Sequence, residues 1–143
     1  MFKTLVGIMI CLSLAVAAGC SGKNSLYSDD ISTLQNLIRL TDTFTKTLDK
    51  ISDKDVIVQT VSDYTQKLLE IKPGVLKLEE KYPDIKLIDG EKGAPEEVQP
   101  WIKKYYESLS RMRVVVDGKL AKYGRYPDVM SVFTTLKEVL YYY

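Results

Sequence analysis

The stretch KDVIVQTVSDYTQKLLEIKPGVLKLEEKY, residues 54–82, decides the fold. Within it Ile57, Val61, Tyr64, Leu68, Ile71, Val75, Leu78 and Tyr82 recur at alternating steps of four and three. That spacing lays one apolar stripe along an α-helix. Pro73-Gly74 falls inside the run. Proline removes a backbone donor and crowds the preceding turn, at about 3 kcal/mol in a helix interior. A helix that ended at Lys72 would leave nothing to hold the stripe in phase beyond it. The preserved phase therefore predicts one helix, kinked at Pro73, over 54–82 and roughly 43 Å long. Two helices broken at the proline are the competing reading.

Working outward, Ser52-Asp53-Lys54-Asp55 resembles a capping box with Asp in place of Glu. Before it, Leu34, Leu37, Thr41, Phe44, Leu48 and Ile51 make a second stripe. Ser28, Asp29 and Asp30 offer N-cap chemistry and negative charge at its start, so a first helix is expected over 29–51. Pro83 closes the long helix, and 84–95 reads as a loop in which Ile85, Leu87 and Ile88 plug one end of a bundle. Ala94-Pro95-Glu96-Glu97 reads as the next helix start. Val98, Ile102, Tyr105, Leu109, Met112, Val116 and Leu120 continue the helical period. A strand and hairpin over Val114-Val115-Val116-Asp117-Gly118 is the rival reading, and the unbroken period favours helix. Gly124 suits a C-cap, and Pro127-Asp128 opens a last helix with Val129, Phe133, Leu136, Leu140 and Tyr143 on one face. The expected fold is all-α: an up-and-down antiparallel bundle of four helices over 29–143.

Ahead of the bundle the chain changes character. Lys3 precedes an apolar run from Leu5 to Ala18. A membrane span needs roughly 20 residues, so this run is too short and fits a signal-peptide h-region. An N-terminal core helix is the bland alternative, but the run has no amphipathic period. Val16-Ala17-Ala18-Gly19-Cys20 resembles the lipobox of bacterial lipoproteins, with Ala17 where Leu is commonest. The resemblance implies a signal peptide over 1–19, cleavage before Cys20, and acylation of its thiol and new amine (palmitate among the expected chains). It also implies a cell-envelope location. Ser21, in place of Asp, implies the periplasmic face of the outer membrane in a host with two membranes. Two or three acyl chains give stable anchoring, at about 0.8 kcal/mol per buried CH₂. Residues 20–28 then form a lipidated tether. Its eight residues after Cys20 reach at most about 26–29 Å, which keeps the bundle near the bilayer.

Composition narrows the chemistry. The chain has 20 Lys+Arg, 19 Asp+Glu and no histidine in 143 residues. Loss of Lys3 with the leader balances the charges, which suggests no nucleic acid. Cys11 leaves with the leader and Cys20 takes lipid, so the bundle has no disulfide and rests on packing. Without histidine there is no His-based acid–base or nucleophilic catalysis, no imidazole-held zinc or haem, and no Glu-x-x-His di-iron site. No glycine-rich phosphate loop occurs. Glu79-Glu80, Glu96-Glu97, Lys103-Lys104 and Arg111 with Arg113 read as solvated helix faces rather than sites.

Ten tyrosines stand out. Tyr64, Tyr82 and Tyr105 lie on core stripes, where packing with the hydroxyl at the rim is the ordinary account. Trp101, Tyr105 and Tyr106 form the candidate recognition patch, and Tyr141-Tyr142-Tyr143 reads as a helix end with Tyr143 packed. The functional expectation is a non-enzymatic, membrane-anchored envelope module without cofactor or metal. It would bind an envelope protein partner or support an assembly. The alternative is a small-molecule or lipid carrier using the bundle interior.

Overall fold

The computed structural model describes residues 26–86 and 90–141. The described residues hold four α-helices: α1, Ser28–Lys50; α2, Lys54–Lys81; α3, Gln99–Tyr123; and α4, Pro127–Tyr141. They pack as a helical bundle, as the periodicities predict. The stripes supply its core. Leu34, Leu37, Phe44 and Leu48 of α1 meet Ile57, Val61, Tyr64, Leu68, Val75 and Leu78 of α2, with Ile102, Met112 and Val116 of α3 and Val129, Phe133 and Leu136 of α4. Full burial of such a side chain is worth roughly 1.5–3 kcal/mol relative to exposure.

α2 runs unbroken through Pro73. The Asp53 carboxylate caps it, accepting from the Asp55 and Val56 amides at 2.9 and 3.1 Å. Pro73 itself is exposed, while Val75 and Leu78 beyond it are buried. Continuing the helix thus keeps apolar surface out of water that a break would release, which offsets the proline's cost. The run at Val114-Val115-Val116-Asp117-Gly118 is likewise helical, inside α3.

Two helix starts differ from expectation. α1 begins without a side-chain cap: Tyr27 holds the cap position, and Ser28 is already helical. Asp30 turns inward instead and bonds to the far end of α2. α3 begins at Gln99, not at Ala94-Pro95, because the Pro95 carbonyl closes a turn by accepting from Val98 and Gln99. Pro100, not Pro95, is therefore the proline of its first turn.

Cross-helix bonds fix the directions. Asp30 meets Lys81, and Thr41 bonds Tyr64 at 2.9 Å, so α1 and α2 are antiparallel. Asp42 accepts from Ser108 and Arg111, and Tyr123 reaches the Ser52 carbonyl, so α1 and α3 run parallel. Lys54 bonds Asp128 at 2.7 Å, joining the starts of α2 and α4. Directions alternate along the chain. The neighbours do not follow chain order: α1 packs on α2 and α3, α4 packs on α2, and α3 meets α4 only sparsely. α2 and α3 are not close neighbours, and residues 82–86 and 90–98 lie at the end of the bundle between them. This connection holds 3₁₀ turns at Pro83–Lys86 and Gly90–Gly93 and buries Ile85, Ala94 and Val98. A Cβ on Gly90 would collide with the Asp84 carbonyl oxygen, so only glycine lets the two turns close. Of the expected plug, Leu87 and Ile88 lie outside the described residues, as do 1–25, Tyr142 and Tyr143.

If the stripe beyond Pro73 holds α2 together against the proline, removing the proline should help. Pro73→Ala restores a helix donor at an exposed site and loses little packing. It should raise unfolding free energy by about 1–2 kcal/mol, the helix gain less the lost restriction of the unfolded chain. Leu68→Ala should lower it by about 2–5 kcal/mol. Urea titration of both variants checks the pair.

Candidate functional site

A surface concavity follows from this pairing. α3 is held by α1 and α4 by α2, so the seam between α3 and α4 stays open. It forms a groove of about 510 Å³. Tyr105, Leu109, Met112 and Val116 of α3 and Leu136 and Leu140 of α4 supply its apolar wall. Leu109 and Leu140 lie on core stripes yet are only half-buried, because neither has a helix opposite it. Three exposed charges line the same groove: Arg113 and Asp117 from α3, Lys137 from α4. None of the three makes a hydrogen bond or ion pair with another described residue.

The candidate patch read from the sequence is divided by the fold. Tyr105 is buried and lines the groove beside Tyr106, with ring centroids 6.0 Å apart. Tyr106 is half-buried and donates its hydroxyl to the Ile85 carbonyl, which ties the groove's end to the crossing connection. Burial, and then the nearby carboxylates of Glu91 and Glu79, push its phenol above the ordinary value. Trp101 lies outside the groove, under the Lys104 ammonium at 4.4 Å from the ring centroid. Periodicity could not reveal Arg113, Asp117 and Lys137 as groove residues. Their grouping depends on which helices pair, and no stripe encodes that.

A second cluster also escaped the sequence reading. Asp30 is buried, and its carboxylate accepts from Lys81 Nζ at 3.0 Å on both oxygens and from the Tyr82 hydroxyl at 2.8 Å. Carboxylate, ammonium and phenol together could serve proton transfer, but these groups saturate one another and line neither described cavity. The cluster bolts the start of α1 to the end of α2. Asp42 plays a comparable part between α1 and α3. Its partial burial opposes ionisation, but the Ser108 and Arg111 bonds outweigh that and leave its carboxyl below the usual range. A second cavity, beside Leu34, Leu37 and Ile85, holds only about 10 Å³. No group of metal-ligating side chains occurs among the described residues, and no described helix is long and apolar enough to cross a membrane. Cys20 lies outside the described residues. Comparison with family models, with curated proteins and with solved structures finds no match to this chain.

The Asp30 cluster carries a pH signature. Burial first, and then the bond to Asp30, raise the Tyr82 phenol well above its ordinary value. The folded chain keeps this proton where the unfolded chain, near pH 10, releases it. The contribution to stability is therefore full below about pH 10 and is lost as pH rises further. Tyr82→Phe should be less stable than the parent by about 1–3 kcal/mol at pH 8. The gap should narrow between about pH 10 and 11. Urea unfolding of both chains at each pH reads it; a constant gap would contradict the assignment.

Proposed function

We propose that this chain is a lipid-anchored, non-catalytic binding module of the bacterial cell envelope. The observation that carries the reading is the stretch Val16-Ala17-Ala18-Gly19-Cys20 behind an apolar run too short to span a bilayer. The thiol of Cys20 takes diacylglycerol, the leader 1–19 is removed, and the new amine is acylated. The short tether holds the start of α1 within a few tens of Å of the membrane. In a host with two membranes, the bundle faces the periplasm from the outer membrane. From there it binds an envelope protein partner or supports an assembly.

A second reading is favoured by one feature: the module carries a small molecule or a lipid. Ligand sites typically enclose about 300–1,000 Å³, and the α3–α4 groove, at about 510 Å³, lies in that range. The cavity beside Leu34, Leu37 and Ile85 holds only about 10 Å³, so the ligand would sit in this side groove.

Anchoring is tested by Cys20→Ala. The variant should keep its leader and carry no acyl mass in intact-protein mass spectrometry, while the parent is cut before Cys20 and gains acyl chains. A variant still cut and membrane-bound would refute the reading.

A further inference from the structure

We infer that the α3–α4 groove is a binding site for a single-chain amphiphile with a monoanionic head, a long-chain fatty acid. The inference rests on the ligand-carrying reading and is independent of the anchor at Cys20. Shape is the first argument. The lining runs along α3 from Tyr105 to Asp117, about 18 Å at the helical rise. A groove of about 510 Å³ drawn out over that length is elongated and suits one extended alkyl chain. Its wall matches: Tyr105, Leu109, Met112, Val116, Leu136 and Leu140 present carbon and one thioether.

Charge is the second argument. Arg113 and Lys137 stand on opposite walls, with Asp117 one turn of α3 beyond Arg113. The sum is one positive charge, and none of the three groups is paired with a described residue. One carboxylate neutralises that set. A cationic head would meet two like charges, and a dianion would overshoot and oppose Asp117. A carboxylate between Arg113 and Lys137 leaves the tail to run over Met112, Leu109 and Leu140 toward Tyr105. There the bond from Tyr106 to Ile85 fixes the groove's end.

The test uses the full chain with a photoreactive diazirine analogue of laurate, cross-links being mapped by peptide mass spectrometry. Labelling should fall within 105–117 and 136–140. Laurate should compete for it at least about tenfold better than dodecylamine or dodecanol. Each methylene added from octanoate to laurate should improve competition about fourfold. Arg113→Gln with Lys137→Gln, both exposed sites, should raise the laurate concentration needed roughly tenfold and leave dodecanol unchanged. Equal competition by dodecylamine would overturn the fatty-acid assignment while sparing the groove as a ligand site. Labelling spread over the whole bundle would overturn both. A dimer that the double variant dissociates would assign the groove to a second copy and overturn the inference. Each outcome leaves acylation at Cys20 untouched.

Discussion

Everything in this bundle depends on α2 staying one helix past Pro73. α1 and α4 both pack on it, and α3 reaches the core by way of α1. Val75, Leu78 and Tyr82 lie beyond the proline and are buried. If the helix broke at Lys72, these side chains would lose their register, and the Asp30–Lys81–Tyr82 cluster would lose two of its three members. A proline costs about 3 kcal/mol in a helix interior. Burial of two aliphatic side chains at roughly 1.5–3 kcal/mol each covers that cost. Sequence spacing, packing and the buried carboxylate thus point the same way.

The groove is the other consequence of the same arrangement. α3 is tied to α1 by Ser108 and Arg111 on Asp42, by Lys119 on the Asp49 and Ile51 carbonyls, and by Tyr123 on Ser52. α4 is tied to α2 by its stripe and by Asp128 on Lys54. The turn between α3 and α4 joins them at one end only. Gly124 there needs its missing Cβ, which would meet the Leu120 carbonyl at 2.5 Å. Each helix finds its partner elsewhere, and half-buried Leu109 and Leu140 mark the seam left between them. A groove built by topology keeps its shape without a ligand, and a preformed site loses less ordering entropy on binding.

How much of this could be read from the sequence follows from what periodicity encodes. A stripe reports which face of a helix is buried. It therefore predicted Ile57 through Tyr82, the continuity past Pro73 and the helix at Val114-Val115-Val116. It does not report which helix lies opposite, so the order of neighbours and the groove were beyond it. Asp30 was misread because an acid in a first turn ordinarily faces the helix dipole; its burial depends on Lys81 and Tyr82, some fifty residues away. The start of α3 was misplaced because two prolines, Pro95 and Pro100, both suit a first turn. Of the three aromatics singled out, Tyr105 and Tyr106 reach the groove because they precede Leu109 on the same side of α3. Trp101 does not, being a turn earlier and under Lys104.

A bundle with an open side groove is suited to holding an apolar chain, and the function we propose stands or falls with the frame that keeps the groove open. The frame's central claim is that α2 is one cooperative unit holding α1 on one side and α4 on the other. Hydrogen exchange along 54–81 tests it most directly. The account predicts that amides on the two sides of Pro73 open together, with Leu68 and Val75 among the slowest to exchange. Residues 74–81 exchanging as a separate, faster unit would contradict it.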